Sequence, residues 1–200
     1  HLAEILNVWQ GGMAIQGGIF LGAAIGIIYT YHHKIDTWAL ADIVAPAIIL
    51  GQAIGRCANL MNGDAFGAPT GSAFGILYPE STLAFLTYGN QPLWPAEVWE
   101  GQLDFVIFAL LLIFRATNHA KGQAFALYIM LYSAARFFLE YLRGDYNGLI
   151  FGLFKSAQMT SLISFSIALI FFIWLGLHKK TSDTPRSTEK GQKKRTVHHQ

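Results

Sequence analysis

Two stretches of this sequence set polar groups into otherwise apolar surroundings. The first runs Gly51-Gln52-Ala53-Ile54-Gly55-Arg56-Cys57-Ala58-Asn59-Leu60-Met61-Asn62-Gly63-Asp64-Ala65-Phe66-Gly67. On a helix, Gln52, Arg56 and Asn59 fall at i, i+4 and i+7 and so share one face. A guanidinium offers a planar fork of donors suited to phosphate. A cation among apolar residues is costly unless it is paired or faces a wet cavity, which marks Arg56 as a candidate for holding an anion. The competing reading is an Arg that snorkels to an interface or pairs with Asp64 for structure. The second stretch, Arg136-Phe137-Phe138-Leu139-Glu140-Tyr141-Leu142-Arg143-Gly144-Asp145, repeats the spacing with Arg136, Glu140 and Arg143. Two arginines at one depth with carboxylates between them describe a pocket for an anionic headgroup. A buried Arg–Glu–Arg triad that only joins helices is the alternative for Arg136 and Glu140.

Other polar groups are sparser. Trp9-Gln10-Gly11-Gly12-Met13 leads to Gln16-Gly17-Gly18. Paired glycines let helix backbones approach closely in lipid or serve non-helical backbone lining a cavity, but neither explains Gln16 inside an apolar run. Histidine is the usual base near neutral pH. His32, His33, His119, His178, His198 and His199 all fall at the opposite end of the spans from Arg56, and His1 begins the sequence. Cys57 has no neighbouring His and reads as an inert thiol.

The elements that must position these residues are long apolar runs: Gly11–Tyr31, Trp38–Met61, Leu103–Phe114, Ala124–Leu142 and Ala157–Leu177. Crossing about 30 Å of hydrocarbon takes about 20 helical residues. Four runs suffice as they stand. The third does so when extended back through Pro95–Gln102, which puts Glu97, Glu100 and Asp104 in its first turns. The expectation is an all-α, multi-pass membrane protein with about five transmembrane helices. Composition agrees: 53% of residues are hydrophobic and 13% charged, against about 25% charged in soluble domains.

Charge is divided unevenly. Of 14 Lys and Arg, seven lie in the last 22 residues, which carry a net +5, while residues 1–178 carry −3. This pattern does not describe a nucleic-acid-binding surface. Basic residues flank the cytoplasmic ends of spans, so the Lys179–Arg195 tail, the Arg115–Lys121 link and His32-His33-Lys34 are assigned to the cytoplasm. Residues 1–10, Gly63–Trp94 and Gly144–Ser156 then lie outside, and Gly63–Trp94 contains no Lys or Arg. Residues 1–178 form a transmembrane domain. Residues 179–200 form a basic cytoplasmic tail, whose composition predicts disorder. A single cysteine excludes a disulfide framework and a cysteine-built zinc site.

The string Gly55-Arg56-x-Ala58-Asn59-Leu60-x-Asn62-x-Asp64-x-x-Gly67 closely resembles the signature of bacterial prolipoprotein diacylglyceryl transferases. Trp9-x-Gly11-Gly12-Met13-x-x-x-Gly17-Gly18, the segment Gln91–Glu100, and Arg136-Phe137-x-x-Glu140-Tyr141-x-Arg143-x-Asp145 resemble further motifs of that family in the same order. The resemblance implies a fold of seven transmembrane helices, of which this sequence matches the last five. It implies transfer of diacylglyceryl from phosphatidylglycerol to the lipobox cysteine of prolipoproteins in the bacterial inner (cytoplasmic) membrane, with the C-terminus cytoplasmic. The partners implied are phosphatidylglycerol, prolipoprotein signal peptides and the membrane, with no metal, cofactor or nucleic acid. Arg56 and Arg143 would bind and stabilise the phosphate, Asn59 and Asn62 would orient it, and Asp64, Gly67 and Glu140 would shape the site. Catalysis would rest on Arg143, Asp64 and the position of Gln16.

The sequence departs from the family pattern at that last position. Many members carry His where Gln16 and Trp94 stand, Glu at Asp64 and Tyr at Trp99. Gln cannot take a proton from a thiol. Three explanations stand side by side: a carboxylate such as Asp64 helps, the field of the arginines lowers the thiol pKa, or the chain is impaired. A non-catalytic phospholipid- or signal-peptide-binding relative of the same fold is therefore the alternative function. A transporter fits poorly, because the polar residues cluster at one end instead of following a path through the bilayer.

Overall fold

The computed structural model of the chain describes residues 15–144, 149–150 and 154–182. Six helices make up almost all of it: α1 (Ile15–His32), α2 (Thr37–Asn62), α3 (Leu83–Tyr88), α4 (Ala96–Arg115), α5 (Gln123–Leu139) and α6 (Ser156–Ser182). Two short antiparallel strands, β1 (Leu149–Ile150) and β2 (Phe154–Lys155), pair between α5 and α6. The helices follow the apolar runs of the sequence, and α4 begins at Ala96, so Glu97, Glu100 and Asp104 occupy its first turns.

Local chemistry sets the helix ends. The Asp36 side chain accepts from the N–H groups of Trp38 and Ala39 and caps α2. Helix α5 begins at Gly122 with no side-chain cap of its own. Asp42 of α2 supplies one across 80 residues: its carboxylate accepts from Gly122 N–H at 2.7 Å and Phe125 N–H at 2.9 Å. A helix start leaves orphan N–H donors that must find acceptors, so this contact both caps α5 and docks it on α2. Lys121 pairs with Asp36 at 2.8 Å beside it.

The bundle centres on α2, α4 and α5, where Ile49, Ile107 and Leu111 are buried against Leu127 and Leu131. Helix α6 packs along α5, with Gln123 donating to the Phe172 carbonyl. At the other end from Asp36, the segment between α2 and α4 has a small core of its own, Phe66, Tyr78, Ala84 and Leu93. The outer faces of the long helices are apolar: Phe20 and Ile28 of α1, Ile54 of α2, Ile113 of α4 and Ile170 of α6 are all exposed. Exposed apolar surface on this scale marks an interaction with something other than water. Helix α2 and Ser156–His178 of α6 are long and apolar enough to cross a membrane. These features are consistent with a helical membrane protein.

Arg136, Glu140 and Arg143 meet as their spacing predicts, at 3.0 Å and 4.0 Å from Glu140, although α5 stops at Leu139 with Glu140 as its C-cap. The chain then turns, and Arg143 lies in an isolated antiparallel bridge with Gly67. The reason is competition for the last carbonyls of the helix. Lys155 Nζ donates to the carbonyl oxygens of Glu140 at 2.9 Å and Arg143 at 2.8 Å. The Leu142 carbonyl accepts from Ala68 N–H at 2.8 Å. These bonds satisfy carbonyl acceptors where the helix ends.

Candidate active site

Glu100 is the point on which the site converges. It is buried on α4, and three guanidiniums from two other parts of the chain meet it. Arg56 of α2 approaches with Nη2 2.8 Å from Glu100 Oε1. Arg136 of α5 has Nη1 3.3 Å from Oε2. Arg143 has Nη1 3.7 Å from Oε2. Glu140 bridges the latter two, at 3.0 Å from Arg136 and 4.0 Å from Arg143. The α2–α4 contact is close because Gly101 stands opposite Arg56: a Cβ there would meet Arg56 Cβ at 3.1 Å.

Charge and exposure give the network a direction. Three arginines face Glu100 and Glu140, and the Lys155 ammonium lies behind the Arg143 turn. The carboxylates keep 2–3% of their side-chain surface, whereas the guanidiniums of Arg56, Arg136 and Arg143 keep 20%, 19% and 11%. The acids are thus the more deeply buried partners and the arginine side chains the more exposed. An arginine held from behind by a carboxylate is already oriented, so less side-chain freedom is lost when an anion arrives.

A second chain of contacts fixes Arg56 from its other side. Its Nη1 donates to Asn59 Oδ1 at 3.0 Å, and Asn59 Nδ2 donates to Asp64 Oδ1 at 2.6 Å. Arg56 therefore reaches Asp64 through Asn59, one helical turn along α2. Asn62, the last residue of α2, is exposed and makes no side-chain hydrogen bond among the described residues. Gly67 is required for close approach: its N–H donates to the Trp94 carbonyl at 3.1 Å, and a Cβ would lie 2.2 Å from that oxygen. With its bridge to Arg143, Gly67 ties the segment after α2 to the turn that carries the third arginine. Tyr88 secures the same turn by donating to the Gly144 carbonyl at 2.8 Å.

Two openings flank α4. A cavity of about 140 Å³ between α2 and α4 is lined by Arg56, Cys57, Leu60, Glu97 and Gln102. On its far side, between α4 and α5, runs an apolar groove of about 390 Å³ lined by Leu103, Val106, Leu131, Ala134 and Phe138. The groove reaches Leu139 and Leu142, the neighbours of Glu140 and Arg143. Arg143 is not among the residues lining the smaller cavity, so the two arginines meet through Glu100 and do not share one wall. The Gln16 side chain and Asp145 lie outside the described residues.

Periodicity in the sequence brought out Arg56, Asn59 and Glu140, and the structure joins all three to the network. It did not bring out Glu100 as the hub. The signal was available, since Glu97, Glu100 and Asp104 at i, i+3 and i+7 put three carboxylates on one side of an otherwise apolar helix. Lys155 was also missed, although it is the one lysine between Gly122 and His178.

Comparison with known proteins bears directly on this arrangement. The family model for prolipoprotein diacylglyceryl transferase matches residues 1–174. The chain belongs to the prolipoprotein diacylglyceryl transferase family. Among curated members, it is 36% identical to the phosphatidylglycerol–prolipoprotein diacylglyceryl transferase of Acaryochloris marina, an alignment covering 90% of this chain and 66% of that protein. It is 39% identical to the proteins of the same name from Geobacillus kaustophilus (84% and 64% covered) and Listeria welshimeri (86% and 63% covered). The chain spans about two thirds of the length of these transferases. The match contains the whole arginine–glutamate network, together with Asn59, Asp64 and Gly67.

Proposed function

We propose that this chain transfers the diacylglyceryl group of phosphatidylglycerol to the thiol of the lipobox cysteine in prolipoproteins. It would do so within the bacterial inner (cytoplasmic) membrane. In this reading α1, α2, α4, α5 and α6 are five spans of a transferase domain (residues 1–178), and the basic tail (179–200) is cytoplasmic. The Arg56 end then faces outward, where lipobox cysteines emerge. The convergence of Arg56, Arg136 and Arg143 on buried Glu100 carries the proposal. It supplies oriented guanidinium donors at the end of an apolar groove, which suits a lipid with a phosphate head and acyl tails.

The chemistry follows from that arrangement. Thiolate sulfur attacks the glycerol carbon that bears the phosphate ester; a C–S bond forms as the C–O bond breaks, and glycerol phosphate departs. Negative charge grows on the leaving phosphate, so donors aimed there lower the barrier more than they stabilise the bound substrate. A single well-placed donor of this kind is worth roughly 3–4 kcal/mol. Arg56 and Arg143 take that role. Glu100 and Glu140 orient them, Asn59 links Arg56 to Asp64, and Gly67 sets the position of the Arg143 turn. Asn62 and Gln16 belong to the rim of the same site in this reading.

The test is thioether formation by the full-length protein. In vesicles containing phosphatidylglycerol, a lipobox peptide should gain the mass of one diacylglyceryl group. Binding of phosphatidylglycerol with no transfer at any pH would identify a binding relative instead.

A further inference from the structure

Transfer requires the thiol to lose a proton, and the imidazoles among the described residues lie away from the arginines. His32, His33, His119 and His178 lie at the ends of α1, α4 and α6 remote from Arg56, and His119 pairs there with Asp42 at 3.7 Å. The carboxylates near the arginines differ in what they already do. Glu100 and Glu140 are engaged by guanidiniums. Asp64 accepts from Asn59 at 2.6 Å. Asp104 is buried but does not line the cavity beside Arg56.

Glu97 is different. It occupies the first turn of α4, is fully buried, and lines that cavity together with Arg56. Its Oε1 accepts a hydrogen bond from the Tyr78 hydroxyl, which fixes the carboxyl in place. Its Oε2 has no hydrogen-bond partner among the described residues. A buried polar atom left unmatched is uncommon and calls for a partner that arrives from elsewhere. A cavity of about 140 Å³ lies beside the residue. The charged groups around Glu97 are Arg56 and Asp64 from the α2 end and Arg143 from the turn after α5.

We propose that Glu97 is the general base of the transfer, accepting the proton of the lipobox thiol on Oε2. This deepens the transferase reading and rests on it. The proton moves from sulfur to Glu97 as the sulfur electron pair forms the C–S bond. The C–O electron pair leaves with the phosphate, and the protonated Glu97 then passes its proton to that departing oxygen. Sulfhydryl, carboxylate and phosphate end balanced, with no further reactant. The cavity that holds Glu97 also holds Arg56, so the group that takes the proton and a group that steadies the leaving charge act from one wall.

The experiment compares the full-length wild type with Glu97→Gln and Glu97→Asp, using phosphatidylglycerol vesicles and a lipobox peptide from pH 6 to 9. Glu97→Gln should lose about 10²–10⁴-fold in kcat at pH 7, with phosphatidylglycerol binding kept. The deficit should shrink as pH rises toward the free thiol pKa of about 8.5, where hydroxide replaces the missing base. Glu97→Asp should retain a measurable part of the rate, because a carboxylate remains. An active wild type with a Glu97→Gln deficit that is absent, or constant across this pH range, would overturn the role of Glu97 and leave the transferase reading intact. A wild type that binds the lipid but never forms the thioether would overturn both. If Glu97→Gln loses lipid binding through misfolding, Glu97→Asp decides: a wild-type rate and pH profile supports the carboxylate, and complete loss with lipid binding intact overturns it.

Discussion

Arg56 and Glu100 meet at 2.8 Å between α2 and α4, with the carboxylate 3% exposed and the guanidinium 20% exposed. The asymmetry decides how the pair is read. A structural ion pair buried on both sides contributes little net stability, because desolvation offsets the attraction. Here the carboxylate is sequestered and already surrounded by three arginines, while the Arg56 side chain is the more exposed partner and lines a cavity. Glu100 thus holds Arg56 in a fixed pose.

That pose makes Arg56→Lys a demanding substitution. Arg56 divides its donors between Glu100 Oε1 and Asn59 Oδ1. An ammonium is a compact point charge and cannot serve both while facing a phosphate. Transfer should fall by about 10²-fold or more in kcat/KM, comparable to losing one oriented donor. Steady-state rates of thioether formation check this, and an unimpaired Arg56→Lys enzyme would reduce the role of Arg56 to simple charge.

Gly67→Ala should damage the site from a distance. The added Cβ would lie 2.2 Å from the Trp94 carbonyl oxygen and 2.6 Å from the Trp94 Cβ. Neither neighbour is the flexible end of a side chain, so the backbone must shift, at a cost of about 1–3 kcal/mol or more. The bridge from Gly67 to Arg143 transmits the shift. Both the melting temperature and the affinity for phosphatidylglycerol should drop. A variant that loses stability alone would mean that the Arg143 turn is held without Gly67.

Asp42→Ala acts at the opposite end of the bundle and separates stability from chemistry. It removes the acceptor for Gly122 and Phe125 at the start of α5. Loss of a helix cap costs about 0.5–2 kcal/mol. Thermal unfolding in detergent should register that loss, while kcat of the folded protein stays near the wild-type value.

What could be read from the sequence was set by range. Gln52, Arg56 and Asn59 lie within one helix, and the helical repeat alone places them together, as the Arg56–Asn59 hydrogen bond bears out. The same rule brings Arg136 and Arg143 to Glu140, but it cannot register that the helix ends at Leu139, where Lys155 and Ala68 claim the following carbonyls. Glu100 was legible as a charge in an apolar helix but not as a hub, since its partners come from residues 44 positions before it and 36 and 43 after it. The Cys57 thiol is directed back to the Ala53 carbonyl of its own helix.

The claim that this network is the phosphate site of a transferase is tested most directly by mass spectrometry of a lipobox peptide. The peptide is incubated with phosphatidylglycerol vesicles and the full-length protein, as wild type or Arg143→Gln. Arg143 contacts Glu100 and Glu140 and is held by Gly67 and Lys155. The wild type should add one diacylglyceryl group to the cysteine, and Arg143→Gln should add it at least about 10²-fold more slowly. An unmodified peptide with the wild type, or an undiminished adduct with Arg143→Gln, would contradict the account.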